Sequence, residues 1–137
     1  DHFDAFTIAN NHILDYGAGR IPHHAIELKN EGYNVIAYDF GNNMNPEYHY
    51  PHALDFRYDY VYASNVINVQ INREMFEKTL QEIYDVLILG GIFITNYPSS
   101  PRKWGIATEE MKIELEQFFF QVEKLQNYST PVFKCMK

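Results

Sequence analysis

Cysteine is almost missing from this chain, with Cys135 the only one among 137 residues. A single thiol excludes an internal disulfide framework and fits a reducing compartment, so the cytoplasm is the expected location. Long apolar runs are missing as well. Nothing approaches the ~20 consecutive apolar residues that cross a bilayer, and no membrane association is expected. The chain opens on Asp1, His2 and Asp4, where a secretory signal would place basic residues and an apolar core, and it lacks an initiating Met. Positive charge is scarce: 11 Lys and Arg against 18 Asp and Glu give a net charge of −7. Binding to a phosphate backbone normally needs clustered Lys and Arg, so charge does not support a nucleic-acid partner. Arg102 and Lys103 stand together beside Pro101 and read as a solvated loop without a role. There are no internal repeats and no low-complexity tract.

What is present is the material of one globular domain covering residues 1–137. At 46% hydrophobic and 16% aromatic, the chain carries enough apolar surface to offset the entropy of ordering, which excludes a disordered chain. From Asn11 to Asp15 a short apolar run stops at Gly17 and Gly19, the pattern of a buried strand entering a tight turn. Pro22 stands at a first helical position, His23–Glu31 reads as a short helix, and Gly32 stops it. Tyr33–Asp39 is a second strand, rich in β-branched and aromatic residues and ending on an acid.

Gly41–Phe56 is polar, holds Pro46 and Pro51, and reads as mostly loop. Tyr58–Ala63 alternates as a third strand. Arg73–Leu89 has apolar residues at helical spacing, with Gly90 and Gly91 as its stop. Ile92–Tyr97 is a further strand. Thr108 caps a helix through Phe118 with Glu109 and Glu110 in its first turn. Phe119–Leu125 and Val132–Met136 read as a closing antiparallel hairpin. This order predicts an α/β fold whose sheet is mostly parallel with an antiparallel C-terminal hairpin, with helices on both faces.

In an open α/β sheet the ligand sits at the carboxyl ends of the strands, where their order reverses. Three strand ends qualify: Asp15-Tyr16-Gly17-Ala18-Gly19, then Asp39, then Ser64-Asn65. Glycines let the backbone turn sharply and approach a ligand, and an acid about 20 residues on accepts hydrogen bonds from ribose hydroxyls. Together they specify a nucleoside-shaped site. A dinucleotide would want a third glycine where Pro22 stands, and its phosphates would be repelled by Asp15. A sulfonium amino acid tolerates that carboxylate.

The run Ile13-Leu14-Asp15-Tyr16-Gly17-Ala18-Gly19 resembles the first motif of class I S-adenosylmethionine (SAM) dependent methyltransferases. Asp39 resembles their ribose acid, Tyr58–Asn65 their fourth-strand motif, and Leu87–Phe93 the junction of helix and fifth strand. The resemblance implies a Rossmann-like methyltransferase sheet with SAM as cofactor. It implies that Tyr16, Gly17, Ala18 and Gly19 line the methionine part, that Asp39 takes the ribose hydroxyls with Phe40 beside the adenine, and that Ser64 and Asn65 face the reactive methyl. Asp15 belongs to the same cofactor-binding motif. In the family an acid or amide after the third strand binds the adenine amine; here that region is compressed into Gly41–Phe56, where Asp55 is the candidate.

The expected activity is methyl transfer to an acceptor, small molecule or macromolecule, that the motifs do not identify, and no catalytic acid or base is named. The alternative is a non-catalytic or partner-dependent SAM-binding module. No metal is expected: His23-His24 and His49-x-x-His52 lack a completing ligand set and read as surface histidines. The tyrosines of Tyr58–Tyr62 read as sheet packing, Asp59 as a structural acceptor and Cys135 as core filler. DNA amino-methylation is disfavoured because Ser64-Asn65-Val66-Ile67 stands in place of the (Asp/Asn/Ser)-Pro-Pro-aromatic motif, and cytosine-C5 chemistry lacks a suitably placed cysteine.

Overall fold

A computed structural model describes residues 12–137; Asp1, His2, Asp4 and Asn11 lie outside the described residues. Six strands form one sheet in the order β2-β1-β3-β4-β6-β5. They are β1 (His12–Tyr16), β2 (Asn34–Tyr38), β3 (Tyr58–Ala63), β4 (Leu87–Asn96), β5 (Gln121–Lys124) and β6 (Val132–Met136). β1 pairs in parallel with both β2 and β3, and β3 in parallel with β4. β6 runs antiparallel between β4 and β5, so the mostly parallel sheet with a terminal antiparallel hairpin is found as the sequence predicts.

Among the described residues three helices cover the sheet: α1 (His23–Asn30), α2 (Arg73–Val86) and α3 (Thr108–Glu116). Alternation along β1 sends Ile13 to one face and Leu14 and Tyr16 to the other. Ile13 packs with Ala25 and Leu28 of α1, and Leu14 and Tyr16 pack with Phe76, Leu80 and Ile83 of α2 and Met111 and Leu115 of α3. Helices therefore lie on both faces. Phe76, Leu80 and Ile83 recur at helical spacing and are wholly buried, each contributing about 1.5–3 kcal/mol by leaving water.

Local signals explain the helix ends. Pro22 precedes α1 by one residue, and Gly32, at φ +99°, closes it: the Gly32 and Tyr33 N–H groups donate to the Lys29 and Leu28 carbonyls. The Asn72 side chain caps α2 by accepting from the Met75 N–H at 2.9 Å. Glycine does not end α2. Lys137 does, its Nζ donating to the Tyr84 and Leu87 carbonyls at 2.9 and 2.8 Å. Gly90 and Gly91 instead lie inside β4, in an irregularity where Tyr58 pairs with Leu87 and Tyr60 with Ile92. Gly90 has φ +83°, and a Cβ on Gly91 would come within 2.8 Å of the Ile88 carbonyl oxygen, so both glycines serve this bulge.

Other expectations need correcting. α3 begins at Thr108 with Ala107 before it, and the Thr108 hydroxyl accepts from Arg102 at 2.9 Å instead of capping the helix. Arg102 is no solvated loop residue: its guanidinium also donates to the Pro98, Tyr97 and Ile106 carbonyls and lies 3.9 Å from the centre of the Tyr97 ring. That clamp fixes the connection from β4 to α3. Tyr58, Tyr62 and Cys135 are buried in the core as expected, and Asp59 is the expected structural acceptor, taking the His12 N–H at 3.0 Å.

Between β2 and β3, residues 41–56 hold only two short 3-10 turns, Gly41–Asn43 and Ala53–Asp55. They contain no strand, but His49 forms one parallel bridge with Ala37 on the outer side of β2. Among the described residues no helix is long and apolar enough to cross a membrane.

Candidate cofactor site

β1 lies between β2 and β3, and the chain leaves it toward β2 before returning to β3, so the crevice opens above its carboxyl end. There Gly17 and Gly19 adopt φ +70° and +86°, a region that favours glycine. A Cβ on Gly17 would stand 2.6 Å from Cγ2 of Val66, so the turn presses directly on the segment after β3. The Gly17 and Ala18 N–H groups donate to the Tyr38 carbonyl at 2.9 and 3.0 Å, tying the turn to the end of β2.

Asp39, buried at the next position, completes this tie. Its Oδ2 accepts from the Gly19 N–H at 2.7 Å and its Oδ1 from the Phe40 N–H at 2.8 Å. Each carboxylate oxygen has a second lone-pair direction for further donors. The Gly19 carbonyl is held from the other side by His49, whose Nε2 lies 2.7 Å away. The His49 Nδ1 accepts from the Asn45 N–H at 2.9 Å, so the proton sits on Nε2 and donates to Gly19. His49 is thus buried and structural, in contrast to its reading as a surface histidine; His23, His24 and His52 are exposed. Its signal in the sequence, one polar residue in a polar loop, did not distinguish it.

A cleft of about 610 Å³ opens from this turn. Of the residues predicted for the site, Tyr16, Gly17, Asp39, Phe40 and Asn65 line it. Asp15, Ala18, Gly19 and Ser64 do not. Asp15 lies buried beneath the turn, on the face covered by α1, in register with Tyr62 of β3. Burial, opposed by the Tyr62 hydroxyl and aided by the charge of Asp39, pushes its carboxyl up from 3.8 to about 7. Ser64 is half-buried at the end of β3.

Asn65 has φ +61° and is held by a reciprocal pair: its N–H donates to Asn96 Oδ1 at 2.8 Å, and Asn96 Nδ2 donates to its Oδ1 at 3.1 Å. Gln70 then fastens the following segment, Nε2 donating to the Val66 carbonyl at 2.9 Å. Asp55 is exposed, lies 3.5 Å from His52, and does not line the cleft.

The opposite wall belongs to α2, which the sequence reading did not include. Met75, Thr79 and Glu82 share one helical face and line the cleft with Lys78. Tyr16 reaches across to this wall, its hydroxyl donating to Glu82 Oε1 at 2.6 Å. The rings of Tyr16, Tyr38 and Phe40 cluster with centroids 5.7 to 6.4 Å apart, giving the cleft an aromatic side. Among the described residues no group of three or more His, Cys, Asp or Glu side chains is placed to hold a metal ion.

No protein-family model matches the chain, and no curated protein does. Solved structures do. Magnesium protoporphyrin IX methyltransferase from Synechocystis PCC 6803, with bound SAM, superposes with a TM-score of 0.72 at 14% identity, over 96% of this chain and 72% of that one. A TehB-like SAM-dependent methyltransferase from Corynebacterium glutamicum gives 0.71 at 18% identity, covering 98% and 84%. The 1,6-didemethyltoxoflavin-N1-methyltransferase from Burkholderia thailandensis, with bound S-adenosylhomocysteine, gives 0.67 at 16% identity, covering 97% and 73%. Across such matches the chain spans between 38% and 84% of the matched protein. At these identities the likeness is one of architecture, and the fold is the Rossmann-like fold of SAM-dependent methyltransferases.

Proposed function

We propose that residues 1–137 form a single SAM-binding domain that transfers the sulfonium methyl group to a nucleophilic N, O or C of an acceptor. The observation carrying this reading is the cleft at the switch point, where the Gly17 turn, Asp39 and Asn65 converge from three adjacent strand ends. The residues present fit the cofactor. Gly17 lets the turn close directly against Val66, and Asp39, already fixed by two backbone N–H groups, offers its remaining lone pairs to the two ribose hydroxyls. Phe40 stands beside them for the base, and Tyr16 and Gly17 carry the methionine end. Ala18, Gly19 and Asp15 act from behind, by shaping the turn, and Ser64 by ending β3 ahead of Asn65.

SAM supplies an activated methyl group, so the protein needs to hold nucleophile and methyl in line more than to move protons. Positioning of this kind is worth up to ~7–11 kcal/mol. No catalytic acid or base is assigned. A second reading, a SAM-binding module that relies on further polypeptide for its acceptor site, is favoured by the exposed apolar lip formed by Val69, Ile71 and Met75 beside the cleft. The cytoplasm fits the lone buried thiol of Cys135.

Isothermal titration with SAM, S-adenosylhomocysteine and NAD tests the reading. Both adenosyl compounds should bind and NAD should not; absence of both adenosyl signals overturns it. Asp39→Ala should weaken SAM binding by at least about tenfold, since charge-assisted bonds to two hydroxyls are lost. Transfer of labelled methyl into cell extract separates enzyme from module.

A further inference from the structure

The segment between β2 and β3, residues 41–56, contains no strand, and its two acids, Glu47 and Asp55, are exposed and do not line the cleft. Asn43 of this segment lines the cleft with an amide, so a charged acceptor for the exocyclic amine of the adenine has to come from another element. Glu82, on the α2 wall, is the acid that faces the cleft from the side opposite Asp39. We propose that the Glu82 carboxylate receives the adenine amine, and that Tyr16 orients it to do so. This rests on the SAM reading of the cleft.

The geometry favours Glu82 in three respects. First, one of its oxygens is already committed: Oε1 accepts the Tyr16 hydroxyl at 2.6 Å, which fixes the carboxylate plane, while among the described residues no donor reaches Oε2. Second, Tyr16 stays a donor at any ordinary pH, because burial and the bond to Glu82 hold its phenol well above the usual range. Lys78 is one turn away on the same wall, yet no ion pair joins it to Glu82 among the described residues, so the carboxylate stands on that wall without a paired cation.

Third, the walls between Asp39 and Glu82 suit a flat base. Phe40 and Tyr38 stand on the β2 side, and Val66 and Val69 on the β3 side. A pure acceptor at the end of an apolar slot selects a ring that offers an N–H donor there. It rejects one that offers a carbonyl oxygen, because two acceptors would meet with no proton between them. The site should therefore distinguish adenosyl from inosyl ligands.

Titration of the full chain with S-adenosylhomocysteine and S-inosylhomocysteine tests this directly. The unaltered protein should bind the adenosyl compound at least about tenfold more tightly, the scale of a hydrogen bond to a charged group. Glu82→Ala should lose about tenfold in affinity for S-adenosylhomocysteine and leave S-inosylhomocysteine within about twofold, so that the preference collapses. Glu82→Gln, which can turn an amide N–H toward a carbonyl, should shift the preference toward the inosyl compound; thermal melting establishes that both variants fold. Equal binding of the two ligands by the unaltered protein, or an unchanged preference in Glu82→Ala, overturns the proposal while leaving the SAM reading intact. If the unaltered protein binds neither ligand, the SAM reading itself falls and this assignment with it.

Discussion

On the strand side of the cleft, Gly17, Gly19 and Asp39 meet demands that the backbone sets: two positive φ angles, a close approach to Val66, and an acceptor for the Gly19 N–H. On the helix side, Met75, Thr79 and Glu82 sit on regular α-helix, where any good helix former would satisfy the backbone equally well. The first wall is specified residue by residue. The second is specified only by which face of α2 turns away from the core, so its side chains are free to vary with the ligand.

Substitutions can break or sharpen that contrast. The largest effect on ligand binding is expected from Gly17→Ala, which combines a disfavoured φ with a Cβ 2.6 Å from Val66 Cγ2. It should cost about 1–3 kcal/mol of stability in urea titration and at least about tenfold in SAM affinity. A variant as stable and as tightly binding as the parent would mean that the turn is not under this constraint.

Next comes Asp15, also on the strand side but buried beneath the turn. Its carboxyl keeps its proton to about pH 7 in the folded state and ionises near 3.8 when unfolded. The folded state therefore binds the extra proton between those values, and stability falls as pH rises from about 4 to about 7, then levels. Asp15→Asn removes that slope. The stability difference between variant and parent should grow toward neutral pH, by up to about 1.4 kcal/mol per pH unit in that window, and a constant difference would count against a buried protonated Asp15.

The smallest effect is expected at Asp55, the acid chosen from sequence. Asp55→Ala should leave SAM affinity within about twofold, because an exposed pair such as that with His52 contributes little and lies off the cleft. A tenfold loss would return the adenine contact to this segment and weaken the case for Glu82.

The same contrast explains what was legible in the sequence. β1, β2 and β3 were readable because burial on both faces leaves near-continuous apolar and aromatic runs, and the turn because glycine and acid each answer a single steric or hydrogen-bonding need. The α2 wall was not, since Lys78, Thr79 and Glu82 have the composition of any solvated helix face and acquire meaning only when Tyr16 reaches them. Gly90 and Gly91 misled because glycine stops helices and also permits bulges, and the residue that ends α2, Lys137, is 51 positions beyond it in the chain. Arg102 escaped for a similar reason: its carbonyl partners are main-chain groups that carry no sequence signature.

His49 has a consequence beyond steadying Gly19. β2 is an outermost strand of the sheet, and such an edge offers unpaired N–H and C=O groups to any passing strand. The bridge between His49 and Ala37, with the Tyr50 N–H donating to the Ala37 carbonyl at 3.0 Å, occupies that edge toward its carboxyl end. The peg that positions the cofactor turn is thereby also a guard against edge-to-edge aggregation, and loss of ligand grip and loss of solubility are expected to travel together when this segment is disturbed.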